Sequence, residues 1–289
     1  MVHRKTIKVP PIKKVGLLVL ASVSIALAIF VVWATFSAPS SDTGITKNEK
    51  ETAKKPDKPK NNSKPSKLQL LVDNWAKNQS YDVGIMIYDL DKKKVSAKHN
   101  VDKTFFSASL YKLFVVYEGY KRVDKGQWSL DDAFLAKKNR GQCLNLAISK
   151  SDSSCATSLL GEIGAGNLNE INRKYGIKNT DVINLYTTAG DMVKILKKIW
   201  YKDNLSKKSA NLLLDSMLNQ PIDYRYGLPY GFTKSKVYNK VGYEKDKYYH
   251  DAAIVVTPKG RHYAVAVLTN SFNYHQIADL GRQIEQKIL

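Results

Sequence analysis

The chain has 289 residues, 46 Lys/Arg against 26 Asp/Glu for a formal net charge of +20, and two cysteines. That length supports one large or two small domains with a real core, and two cysteines exclude a disulfide-built scaffold. Two thiols with no histidine beside them make no zinc site, and nothing in the sequence calls for a metal or other cofactor.

Residues 1–14, "MVHRKTIKVPPIKK", form a basic tail, and no charge follows from Val15 to Phe36. Those 22 residues, at about 1.5 Å each, span ~33 Å, the thickness of a bilayer core. A cleaved signal peptide has a shorter apolar region, so residues 15–37 are predicted to be an uncleaved transmembrane signal anchor. Arg4, Lys5, Lys8, Lys13 and Lys14 precede it. This predicts a single-pass protein of the cell membrane, its N-terminus cytoplasmic and the rest outside. Residues 38–66 are rich in Lys, Pro, Ser and Asn and nearly free of apolar side chains. Such a segment cannot bury enough surface to fold and is predicted to be a disordered linker. The globular domain is then 67–289.

Residues 1–66 hold 12 Lys/Arg and 4 Asp/Glu, which leaves +12 on the domain. Export, and the lack of any nucleic-acid motif, argue against nucleic acid as the partner. A basic surface suits an anionic cell envelope instead.

Within the domain, "KLQLLVDNWAKNQ" places Leu68, Leu71, Val72 and Trp75 on one face of a helix. "YDVGIMIYDLDKKKVSAKHN" predicts two strands with a turn near Asp91–Lys93. A helix opening at Ser109, with nearly every position from Leu110 to Tyr120 aliphatic or aromatic, reads as buried on most faces. After the "GQWSLDD" turn, helical spacing runs through 143–201 with breaks at Ser151–Ser154, Gly164–Gly166 and Tyr186–Gly190. "AAIVVTPKGRHYAVAVL" predicts a hairpin turning at Pro258 and Gly260, and "QIADLGRQIEQKIL" a final helix. Strands at both ends with helices between them indicate an α+β fold: terminal helices on an antiparallel sheet, plus an all-helical subdomain.

Three short patterns carry chemistry. Ser109 and Lys112 stand one turn apart in an apolar run. A buried lysine loses its solvation and its pKa falls, so a neutral amine there can take the proton a serine hydroxyl does not release unaided. Ser151–Asp152–Ser153 lies in a polar break, where a bare S-D-S equally serves as a helix cap. Lys240–Val241–Gly242 lies in a strand-like run, its glycine allowing close backbone approach. A second K-x-G, Lys174–Tyr175–Gly176, reads as a helix stop.

The three patterns in this order resemble the signature S-x-x-K, S-D-N, K-T-G of the penicillin-recognising serine hydrolases, class A β-lactamases in particular. The resemblance covers most of 67–289. It implies that Ser109 is the acylated nucleophile, Lys112 its proton acceptor and Ser151 a proton relay to the leaving nitrogen. Ser153 and Lys240 would bind substrate, the latter through its carboxylate. Gly242 would border the substrate backbone, and the N–H groups of Ser109 and Tyr243 would form the oxyanion hole. Val241 stands in place of threonine and Ser153 in place of asparagine. No omega-loop glutamate is recognisable: only Glu162 and Glu170 lie between Ser151 and Lys240. His250–Asp251 reads as structural rather than as part of a Ser–His–Asp triad.

The expected activity is acyl-enzyme formation on Ser109 with β-lactam amides, acylation intact and turnover impaired. The alternatives are a D-Ala-D-Ala carboxypeptidase acting on peptidoglycan stem peptides, or a low-turnover wall-binding module of the same fold. Cys143 and Cys155 flank the Ser151 loop in an oxidising compartment, which predicts a bridge between them. The alternative is a pair of buried thiols.

Overall fold

The computed structural model describes residues 64–289. The basic tail, the anchor and all but the last three residues of the linker lie outside them. Among the described residues no helix is long and apolar enough to cross a membrane.

Ser66 caps α1 (Lys67–Lys77), its hydroxyl accepting from Gln69 N at 3.0 Å, and α1 buries Val72, Trp75 and Ala76. Strands β1 (Val83–Asp89) and β2 (Lys94–His99) form the first hairpin, turning through Lys93 at φ +51°. The short β3 (Phe105–Phe106) leads into a 3₁₀ turn, Ala108–Tyr111, and only then into α2 (Lys112–Asp124). Ser109 therefore sits on the 3₁₀ turn rather than in the α-helix the spacing predicts. Residues three apart eclipse in a 3₁₀ turn, so Ser109 and Lys112 still share a side.

A small pair, β4 (Ala133–Leu135) and β5 (Lys138–Asn139), precedes α3 (Arg140–Ser149), α4 (Ser153–Ile163) and α5 (Ala165–Lys174). The predicted breaks at Ser151 and Gly164 fall between these helices. The structure departs from the predicted run over 175–188, a non-helical segment whose β6 (Tyr186–Thr187) pairs with β3. After it come α6 (Ala189–Trp200), α7 (Lys207–Leu218) and the short α8 (Leu228–Gly231). The hairpin-connected strands β7 (Lys236–Glu244), β8 (Tyr248–Val256) and β9 (His262–Thr269) precede α9 (Tyr274–Ile288).

The main sheet is antiparallel, in the order β2-β1-β9-β8-β7. Alternation along the strands divides the core in two. Ile85, Ile87, Val265 and Val267 face α1 and α9, while Ala252, Ile254, Ala264 and Ala266 face the helical subdomain of α2 to α7. The second face is rich in alanine, which lets those helices lie close to the sheet. The α+β expectation with terminal helices on the sheet holds, and β7 is left as an edge strand beside the Ser109 turn.

Candidate active site

Ser109 is positioned by its neighbours rather than by a regular helix. Ser107 N donates to Leu185 O at 2.6 Å, and Leu110 N returns to Ser107 O at 2.9 Å. Ala108 takes φ +44°, a left-handed conformation costing a non-glycine residue roughly 1–2 kcal/mol. The turn is pressed against β7 at Gly242. A Cβ there would lie 2.8 Å from both Ser107 O and Leu110 Cγ. The absence of a side chain at Gly242 is what lets the Ser107–Leu110 turn approach so closely. Strand β7 and the Ser109 turn are thereby locked together.

Lys112 opens α2 and is 1% exposed, with Leu113 to Lys121 buried behind it. Its Nζ donates to Ser151 O at 2.6 Å and Ser153 Oγ at 3.1 Å, and stands 3.4 Å from Ser151 Oγ. Ser109 Oγ is not among its hydrogen-bond partners, and catalytic hydrogen bonds are often long before substrate binds. From the other side, the fully buried Lys240 donates to Ser151 Oγ and to Val241 O, each at 3.0 Å. The Ser151 hydroxyl thus lies between two lysines, joining all three sequence patterns.

The Ser151 loop is braced at both ends. Ser151 has φ +53°, and Asp152 caps α4 by accepting from Cys155 N at 2.9 Å. So S-D-S is a helix cap as well as a site loop. Cys143 on α3 and Cys155 on α4 are joined Sγ to Sγ at 2.11 Å.

Burial pulls Lys112 from the ordinary lysine value down to about 8, against the opposing charge of Asp152. Lys240 is pulled well below that range by burial and then by Lys112, while Asp251 works the other way. Two amines so close cannot both stay protonated without cost. Asp251 itself is pushed up to about 7 by burial, although Asn239 Nδ2 at 2.9 Å and Leu228 N at 2.8 Å donate to it. His250 accepts from Thr269 N through Nδ1 at 3.0 Å, and its Nε2 meets Phe106 O at 2.8 Å. Burial holds it neutral, near 4, and both its nitrogens are occupied by backbone. It forms no triad with Ser109.

Residues 66–289 match the model of the beta-lactamase enzyme family. The chain belongs to that family. Its fold is similar to the ancestral Gram-negative class A β-lactamase, at TM-score 0.70 and 21% identity over 76% of this chain and 99% of that one. A β-lactamase from Chitinophaga pinensis aligns at TM-score 0.69 and 19% identity, over 78% of this chain and 100% of that one. A point mutant of PBP-A, in an acyl-enzyme complex with penicillin G, aligns at TM-score 0.68 and 22% identity, over 76% and 95%. No curated protein matches.

In this family member, Ser109, Lys112, Ser153 and Tyr243 line a cleft of ≈ 230 Å³, together with Leu185 and Glu244. Ser151 and Lys240 stand behind Lys112. Val241 is buried with the core under α1 and α9, on the opposite face of β7 from Lys240. Glu170 is exposed on α5, and Glu162 is paired with Arg140 at 2.5 Å, so neither lines the cleft. The segment nearest Ser109 closes on itself, Asp181 and Tyr186 exchanging two backbone bonds of 2.9 Å, and presents Leu185. Sequence reasoning missed both Leu185 and Glu244. Alternation from Lys240 through Gly242 points to Glu244; Leu185 carries no sequence signal, because the β3–β6 pairing puts it there.

Proposed function

We propose that this member of the beta-lactamase family is a serine hydrolase, anchored in the cell membrane with its domain outside, that acylates Ser109 with β-lactam amides. The observation that carries the reading is the Ser151 hydroxyl held between Lys112 and Lys240 beside the Ser109 turn. The anchor rests on the charge-free run from Val15 to Phe36.

Neutral Lys112 accepts the Ser109 proton as Oγ attacks the amide carbonyl. The oxyanion is met by the backbone N–H groups of Ser109 and Tyr243, both in the cleft wall. As the C–N bond breaks, Ser151 passes its proton to the leaving nitrogen and takes one from Lys112 or Lys240. The product is an ester on Ser109. Hydrolysis of that ester needs a second base, and the only carboxylate in the cleft lining is Glu244, at the far end of β7 from Lys240. A missing positioned base costs typically 10²–10⁴-fold, or ~3–5 kcal/mol of barrier.

The ester therefore accumulates. A brief exposure to fluorescent penicillin should label the Ser109 peptide in a burst, with label release limiting. Rapid penicillin consumption without an adduct overturns slow deacylation, and no labelling at all overturns the acyl-serine reading. The same long-lived ester favours a peptidoglycan peptidase as the second reading. Release of D-alanine from a D-Ala-D-Ala peptide separates the two.

A further inference from the structure

Glu244 stands out in a domain of net charge +12 as the one carboxylate among the cleft-lining residues. Alternate residues of a strand share a face, so Lys240, Gly242 and Glu244 lie on the side of β7 that packs against the Ser109 turn. Its ion-pair partner is Lys247 in the β7–β8 hairpin, an exposed pair with the lysine and glutamate side chains 60% and 42% accessible. So exposed a pair holds its partners weakly, and a ligand cation can replace its lysine.

Once a substrate carboxylate faces Lys240 and holds its proton, Lys240 and Glu244 give the same strand face opposite charges at its two ends. Four residues at ~3.3 Å each separate their Cα atoms by about 13 Å. Lys240 Nζ is held by Val241 O and Ser151 Oγ, each at 3.0 Å, so its end of the face is fixed. We infer that Glu244 is a specificity residue that binds a primary ammonium group on the acyl side of the substrate. The preferred donor then carries a carboxylate on its leaving group and a free amine on its acyl group, as does a short peptide with a diamino acid before its scissile bond.

An ammonium N–H donating to a carboxylate is a charge-assisted bond, stronger than a neutral one. Lys112 when protonated, Lys245 and Lys247 all oppose a second cation, which keeps the preference modest and sensitive to salt. The inference rests on the acyl-serine reading above.

Ampicillin and benzylpenicillin differ by one amine on the acyl side chain. Acylation rate constants for both, measured by mass spectrometry on the full-length protein, give a ratio in which benzylpenicillin corrects for any loss of folded protein. In Glu244→Gln the ampicillin-to-benzylpenicillin ratio should fall about 3- to 10-fold from the wild-type value, and in Glu244→Lys further still. The wild-type ratio should also fall at high salt. A ratio that both substitutions leave unchanged overturns the role of Glu244 while the acyl-serine reading stands. No labelling by either penicillin overturns that reading and this inference with it.

Discussion

Two walls of the cleft are both tied down and differ in what they present. One carries Ser109, Lys112, Ser151 and Lys240, fixed by the Gly242 contact, by the Lys112 and Lys240 hydrogen bonds and by the α3–α4 disulfide. The other is the 175–188 segment, pinned by the Asp181–Tyr186 bridge, the β3–β6 pair and Asn179 N donating to Asp191 at 2.7 Å. It offers the cleft only Leu185. Order alone does not make a catalytic wall. The first wall holds amines forced toward neutrality by burial, and the second presents to the cleft nothing that can move a proton.

The sharpest way to break this contrast is Ser109→Ala. It should abolish the covalent penicillin adduct while leaving thermal stability near wild type, because it removes one half-buried hydroxyl and no core volume. Undiminished labelling would move the nucleophile elsewhere.

Lys112→Ala should slow acylation by roughly 10²-fold or more, since it removes the proposed proton acceptor. The pH profile sharpens the same point. Burial lowers the Lys112 pKa to about 8, so the competent amine dominates above that pH and the ammonium below it. Acylation should therefore rise about tenfold per unit up to near pH 8 and then level off. The apparent value belongs to the Lys112 and Lys240 pair jointly. A rate flat from pH 6 to 9 would remove lysine as the base.

Opening the disulfide tests whether the first wall depends on its brace. The Cys143→Ser, Cys155→Ser double variant should lose ~3 kcal/mol of stability by denaturant titration, on the chain-entropy estimate for so short a loop. Acylation should fall with it if the Ser151 loop loosens, and a stable variant with normal acylation would show the brace to be dispensable.

The smallest effect is expected from Glu170→Gln. Glu170 is exposed on α5 and outside the cleft lining, so label release should change less than about twofold, as for an ordinary surface substitution. A large slowing would make it the deacylating base.

Much of this organisation is legible in the residues. The helix predicted over 67–79 forms as Lys67–Lys77, and the hairpin through Pro258 and Gly260 joins β8 to β9. Periodicity fixes such elements because each buries one face, and the order of S-x-x-K, S-D-S and K-V-G places the three patterns on a turn, a loop and a strand. Other elements escaped. Segment 175–188 lies within the run of helical spacing, with Gly176 read as a helix stop and a break at Tyr186, but nothing in it signals β6, which is only two residues long. Helix α7 was not anticipated at all.

What the sequence determined by itself is local: amphipathic spacing, turn chemistry, and which residue types stand near one another along the chain. Tertiary structure decided what each then meets. It set Gly242 against the Ser109 turn and buried Val241 in the far core. It closed Lys112 and Lys240 around the Ser151 hydroxyl from 39 and 89 residues away along the chain, and brought Leu185 and Glu244 to the cleft. Those outcomes depend on strand register and on desolvation, and both are properties of the packed chain rather than of any segment of it.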